Sequence, residues 1–311
     1  MVVVDLDEVD FSNLAEYCTI ALLGKRRSGK TTWAKWLVQF IDPNCERFCT
    51  LCGNKDNIAE WRDIVPALFV HAKGLTLLTK LRDYQDKKCS EYSNNRLPIP
   101  VKHRLTLILD DCGSDKKFMY SDILKDILSN GRHYGMYVII LIQYLNQMHP
   151  VNRDQMDYIG VLHTTNAKNT EKLYNEYCSA CDRPTFSAVL KALTANRGLC
   201  WIDNTVSSEK LCDCIFYKDR PDTPAVPVGG SSCRVFSDQR FKSTAMQAGL
   251  DRLKDLTYGD EVPMNQITDG EDVEADARVM SQLFEENKTN AKHVTVRKRK
   301  AHHSRNKKDL I

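Results

Sequence analysis

The sequence predicts an α/β domain with a mostly parallel central sheet flanked by helices. Three observations carry that prediction. From about Thr19, short apolar runs alternate with longer helical patterns, as βα units require. Two of the runs, Leu105–Leu109 and Tyr137–Ile142, are apolar almost throughout, as strands buried on both faces are. The first run leads into a glycine-rich loop and then a helical pattern.

Thr19–Leu23 reads as the strand entering that loop, and a helix is expected from Lys30 to Phe40, stopped by Asp42-Pro43-Asn44. Arg47–Leu51 and Leu68–His71 are weaker strand candidates. Gly74–Tyr92 carries leucines at 75, 77, 78 and 81 and reads as a helix, and Ser93–Pro100 as a loop. After the strand Leu105–Leu109, a helix fits Ser121–Leu128. Tyr137–Ile142 ends at Gln143, and Tyr158–Leu162 is a further strand. Thr170–Tyr177 and Thr185–Leu193 read as helices, followed by short strands at Gly198–Ile202 and Asp213–Tyr217. After Arg220 prolines, glycines and serines mark a linker. The expected organisation is an acidic segment 1–13, a folded core 14–220, and a flexible linker, acidic segment and basic tail over 221–311, with a helix near Asp276–Glu286.

At 311 residues, with 42% hydrophobic and 27% charged side chains, the chain can bury a sizeable core, which excludes a wholly disordered protein. The net charge of +3 indicates no partner by itself, but its distribution is uneven. Asp5, Asp7, Glu8, Asp10 and Glu16 open the chain without a basic residue. No stretch has the apolar length of a membrane span, and the N-terminus lacks the pattern of a signal peptide. A chain that is not secreted and keeps its twelve cysteines reduced is therefore expected. Cys49/Cys52 and Cys178/Cys181 have the spacing of zinc ligands but lie far apart in the chain. Buried or surface thiols are the favoured reading over a metal site.

Gly24-Lys25-Arg26-Arg27-Ser28-Gly29-Lys30-Thr31, with Thr32 following, is a complete phosphate-binding loop. Its glycines let successive N–H groups converge on one point, and the helix N-terminus adds its positive end. Lys30 is expected to reach the β- and γ-phosphates of ATP, and Thr31 to bind Mg²⁺ through its hydroxyl. Asp110, closing a strand, can hold the Mg²⁺ of Mg·ATP. Asp111 beside it can orient and deprotonate water, which favours hydrolysis. Gln143 ends the next buried strand, where ligands of open α/β sheets sit, and can sense the γ-phosphate or hold the lytic water. Arg132, in Asn130-Gly131-Arg132-His133, can complete a neighbouring subunit's site as an arginine finger or serve as a surface or salt-bridging arginine.

The tail carries Arg297, Lys298, Arg299 and Lys300 among further lysines, arginines and histidines. Such a run suits sequence-independent contact with the phosphates of DNA, or nuclear import, and no base-reading motif accompanies it.

Taken in order, Gly24–Thr31, Leu107-Ile108-Leu109-Asp110-Asp111, and Asn130-Gly131-Arg132-His133 leading into Val138–Gln143 resemble the DNA-packaging ATPases of large eukaryotic DNA viruses. These are the poxvirus and giant-virus type within the FtsK–HerA superfamily of P-loop NTPases. Cys200-Trp201-Ile202-Asp203-Asn204 followed by Asp213-Cys214-Ile215-Phe216-Tyr217 looks like the end of that family's core, so the resemblance covers roughly 15–220. It implies a RecA-like ATPase, assembled as a homo-oligomeric ring, that pumps double-stranded DNA into a preformed capsid. A capsid or portal component would be its partner, and an infected host cell, at the assembly site in cytoplasm or nucleus, or the virion, its location. By motif position Lys30 and Thr31 would bind phosphate and Mg²⁺, Asp110 the metal, Asp111 would be the catalytic acid and Gln143 the sensor. Superfamily members often have Glu where Asp111 stands. Two other readings are a P-loop small-molecule kinase and a nucleotide-gated DNA-binding protein without a motor role.

Overall fold

The computed structural model describes residues 4–41, 47–164, 166–178, 180–230 and 234–241. Among them eight strands form one sheet: β1 (Thr19–Leu23), β2 (Phe48–Cys52), β3 (Val70–Ala72), β4 (Leu105–Asp110), β5 (Met136–Ile142), β6 (Tyr158–Val161), β7 (Leu199–Asp203) and β8 (Ile215–Lys218). Their order is β3-β2-β4-β5-β1-β6-β7-β8. The first six run parallel, and β7 is antiparallel to both β6 and β8. One strand, β5, stands between the strand feeding the phosphate loop and the strand ending in the acids. This is the RecA-like arrangement the sequence resemblance implies.

Helices cover both faces, as parallel strands with apolar side chains on each side require. Ile20, Leu22, Ile108, Ile139 and Leu141 pack under α1 (Lys30–Ile41) and α2 (Lys55–Arg62). Ala21, Leu23, Leu107, Leu109, Val138 and Ile140 face the other way. They meet α3 (Leu75–Asn94), α5 (Asp122–Asn130), α7 (Ala167–Tyr177) and α8 (Arg183–Leu193). Short helices α4 (Lys116–Met119), α6 (Pro150–Asp154) and α9 (Leu211–Cys214) fill the connections. Every residue of β4 and β5 is buried, so each leucine or isoleucine there contributes about 1.5–3 kcal/mol. Helix α5 starts where Ser121 Oγ accepts the Leu124 N–H at 3.4 Å.

The structure departs from the sequence reading at both ends of the expected core. Within the acidic segment, Val9 and Phe11 are buried, and Phe11 meets the Trp201 ring edge-on at 5.0 Å. Tyr217 of β8 donates to Asp7 O (3.1 Å) and accepts from Val9 N (2.9 Å), so residues 7–9 cover the outer edge of β8. Beyond 220, Val228 N donates to Ile64 O at 2.9 Å, and Ser237 Oγ accepts from Leu68 N at 3.1 Å. Arg234, in a helical stretch 234–241, donates to Ile64 O and Val228 O. The folded unit therefore extends past 14–220, because apolar side chains at Val9, Phe11 and Val228 find places in the core that charge and proline content conceal. Arg297–Lys300 and the helix expected near 276–286 lie outside the described residues.

Helix α2 was not anticipated. Its sequence is polar, and Trp61 is its sole buried side chain. The thiols of the two spaced pairs are also placed. Cys49 and Cys52 belong to opposite faces of the sheet, while Cys178 and Cys181 bring their sulfurs to 3.7 Å. The pairs lie on strands or loops separated by β4, β5 and β1.

Candidate nucleotide site

The loop between β1 and α1 turns tightly because Gly29 has φ +93° and Arg27 has φ +64°. Ser28 N donates to Lys25 O at 3.2 Å, and Trp33 N to Gly29 O at 2.9 Å, which ties the loop to the first turn of α1. Lys25, Arg26, Arg27 and Thr32 are exposed, whereas Gly24 and Ser28 are buried. Lys30 Nζ donates to Gly24 O (2.6 Å) and Lys25 O (3.1 Å), lying back across the loop it would share with phosphate. Burial pushes the Lys30 ammonium below its ordinary range, opposed by Asp110 and Asp111.

Asp110 closes β4 in register with Cys52 of β2 and Leu141 of β5, and is 2% exposed. Its Oδ2 accepts from Trp61 Nε1 at 2.8 Å and from Thr31 Oγ1 at 3.3 Å. Burial pushes this carboxyl above its usual range, with the Trp61 N–H opposing and neighbouring Asp111 reinforcing the shift. The backbone reverses at Asp111, which is left-handed at φ +54°, ψ +29°. Gly53 allows this turn. Its N–H donates to Asp110 O at 2.8 Å, and a Cβ there would stand 2.1 Å from Asp111 O.

Gln143 follows β5 directly and donates through Nε2 to Asp111 Oδ1 at 3.3 Å. Its own N–H donates to Gln147 Oε1 at 2.6 Å, and the same oxygen accepts from Tyr144 N at 3.3 Å. So Lys30, Thr31, Asp110, Asp111 and Gln143, drawn from three stretches of sequence, meet at the carboxyl ends of β1, β4 and β5. Sequence reasoning missed three of their supports: Trp61, Gly53 and Gln147. An indole N–H beside an acid or an amide five residues past a strand end gives no sequence signal until the fold joins them.

Arg132 is not brought to this cluster. It is exposed in the 3₁₀ turn Gly131–Tyr134, which precedes β5, whereas Gln143 follows it. The strand between them spans roughly 20 Å. Neither does any group of three or more His, Cys, Asp or Glu side chains suited to a metal occur among the described residues.

The residues fit a Mg²⁺–triphosphate. Ser28 Oγ is buried without a hydrogen-bond partner among the described residues, an atom a phosphate oxygen or its water would satisfy. Thr31 Oγ1 and the Asp110 carboxylate offer the hard oxygen ligands that Mg²⁺ takes.

Relatives occur among large DNA viruses. An uncharacterized protein of Acanthamoeba polyphaga mimivirus is 27% identical over 266 residues, covering 83% of this chain and 90% of that protein. An uncharacterized protein of frog virus 3 is 23% identical over 216 residues, 68% of this chain, and the chain spans 65% of that relative's length. Among solved structures, the genome packaging NTPase of Sulfolobus turreted icosahedral virus 2 in complex with AMPPCP aligns with a TM-score of 0.45 at 15% identity, covering 66% of this chain and 98% of that one. The sequence profile described as "Poxvirus A32 protein" matches residues 8–223, most of the chain, and on that match the chain belongs to the poxvirus A32 protein family.

Proposed function

We propose that this protein is an ATP-driven motor that moves viral double-stranded DNA into a preformed capsid. ATP would be hydrolysed at sites shared between the subunits of a homo-oligomeric ring. The observation that carries the reading is the meeting of Lys30, Thr31, Asp110, Asp111 and Gln143 at one end of the sheet. Membership of the A32 family and the genome-packaging role named for the archaeal viral NTPase support a viral genome-packaging ATPase. The viral origin of the relatives supports action inside an infected cell. No helix among the described residues is long and apolar enough to cross a membrane.

In the reaction, Lys30 leaves the carbonyls of Gly24 and Lys25 to pair with the β- and γ-phosphates, and the loop N–H groups hold the remaining oxygens. Thr31 and Asp110 would hold Mg²⁺, which when bound neutralises charge on the β- and γ-oxygens. Asp111 takes a proton from the attacking water as the new oxygen–phosphorus bond forms and the β–γ bridging bond breaks, releasing ADP and phosphate. The Gln143 amide, hydrogen-bonded to Asp111, orients that water and parts from the γ-phosphate on hydrolysis. Arg132 stands too far from its own Gln143 to act there, so any part it has is played at a neighbour's site. Lysines and arginines at 297–300 would add sequence-independent contact with DNA, and a capsid or portal component would anchor the ring.

The test is ATP turnover by the purified chain, with and without duplex DNA, alongside a mass measurement. Lys30→Ala and Asp111→Asn should each abolish DNA-stimulated hydrolysis while melting with the unaltered protein. Undiminished turnover in either variant overturns the site assignment, and a strictly monomeric mass under turnover conditions overturns the ring.

A further inference from the structure

On the α7 side of the sheet, opposite α1, a cavity of about 310 Å³ opens past the carboxyl ends of β4 and β5. The loop after β4, the loop after β5 and the first turns of α7 line it. Its charged lining consists of Lys116, Lys168 and Lys172, and no carboxylate lines it. Lys116 and Lys168 are exposed, and the Lys172 ammonium binds Asn146 Oδ1. The acid beside that ammonium, Glu176, is 3.7 Å away and is paired more closely with Arg153. Helix α7 adds its positive end, with Asn166 capping the Lys168 and Asn169 N–H groups.

Gln147, the residue that accepts the N–H groups of Gln143 and Tyr144, also lines the cavity. Gly113 lies so close that a Cβ would come within 2.6 Å of Gln147 Cδ. A hydrogen-bonded path thus runs from Asp111 through Gln143 to Gln147, joining the acid of the nucleotide site to a basic cavity. Three ammonium groups from two separate elements, amide donors and an exposed Tyr144 ring suit a phosphodiester backbone, which needs charge at intervals and no base reading.

We propose that this cavity takes a backbone phosphate of DNA, and that Gln147 couples its occupancy to the Gln143–Asp111 pair. The coupling, though not the binding, rests on the ATPase reading above. Gln147 is on this account a positioning residue.

The experiment titrates the full-length chain against a fluorescein-labelled duplex at several salt concentrations, with ATP turnover and binding of a fluorescent ATP analogue measured in parallel. Because Arg297–Lys300 can also hold DNA, each variant is made in the unaltered chain and in one carrying Arg297→Ala, Lys298→Ala, Arg299→Ala and Lys300→Ala. The double variant Lys168→Ala/Lys172→Ala should bind duplex roughly tenfold more weakly, and its salt slope should shrink by about one for each phosphate that is no longer neutralised. It should lose DNA stimulation while keeping basal turnover and analogue binding. Lys168→Arg/Lys172→Arg should restore duplex binding. Gln147→Leu should bind duplex as the unaltered chain does yet lose stimulation. Unchanged duplex affinity and slope in the double alanine variant would overturn the cavity's role. Loss of analogue binding alone would overturn it too, by making the cavity an extension of the nucleotide site. Full stimulation in Gln147→Leu would overturn the coupling. If the unaltered chain turns over no ATP, the motor reading fails, and the duplex titration still decides the cavity.

Discussion

Gly24–Thr31 is one stretch whose shape comes from its own backbone and the two elements beside it. Asp110, Asp111 and Gln143 are instead held by residues from several separate stretches, among them Gly53, Trp61 and Gln147. The loop is fixed by left-handed φ at Arg27 and Gly29 and by hydrogen bonds mostly between residues close in sequence, with one tie to β5 from Gly24 N to Ile142 O at 3.2 Å. The acid side depends on β2 lying against β4 and on α2 bringing Trp61 to Asp110, so it exists only in the finished fold. A site half local and half assembled should break in two different ways.

The largest effect is expected where the assembled half is tightest. Gly53→Ala puts a methyl group 2.1 Å from Asp111 O, against backbone that has no free end to swing away. Overpacking of this kind costs about 1–3 kcal/mol. A displacement of Asp111 of about 1 Å should lower turnover by roughly a hundredfold. Thermal unfolding and steady-state kinetics on the same preparation check both, and wild-type turnover in Gly53→Ala would show that Asp111 does not need this glycine.

Next in size is Trp61→Phe, which removes the 2.8 Å donor to Asp110 Oδ2 and leaves a carboxylate that is 2% exposed with one donor fewer. The loss should be about 1–3 kcal/mol, with a raised half-saturating Mg²⁺ concentration for turnover. A magnesium titration of activity reads the second effect, which a packing defect elsewhere would not produce. An unshifted Mg²⁺ dependence would confine Trp61 to packing.

The smallest effect concerns a residue remote from both halves and serves as a control on them. Burial, with Arg47, Lys102 and Lys88 nearby, lowers His103 from 6.5 to about 4. The unfolded chain then takes up this proton near pH 6.5 and the folded chain only near pH 4. This contribution to stability is whole above that window and is lost as pH falls through it. His103→Gln should flatten the dependence of Tm on pH between those limits without changing turnover at neutral pH. A Tm curve identical to that of the unaltered protein would remove His103 from the acid response.

The same contrast explains what could be read from sequence. The strand, glycine-rich loop and helix over Thr19–Ile41 are contiguous, so spacing alone discloses them. The strands ending at Asp110 and Ile142 announce themselves by nearly continuous apolar runs, which burial on both faces imposes. Helix α2 gives no such signal: Lys55–Arg62 buries one side chain, Trp61, and its remaining residues read as a polar connection. Val9, Phe11 and Val228 were hidden for a related reason. Each lies in a stretch where charged residues or prolines interrupt the apolar ones, so no regular period marks it as buried.

The edges of the sheet carry a consequence for assembly. At one side β3 is three residues long, and at the other the Tyr217 backbone of β8 is already engaged by Asp7 and Val9. An extended row of unpaired peptide groups is what lets one chain add a strand to another, and neither edge offers a long one. In the proposed ring, copies of this protein would recognise each other through side chains on loops and helices rather than through a shared sheet. Such contacts would be made and released at each turnover without tearing a backbone ladder, leaving the sheet of each subunit intact.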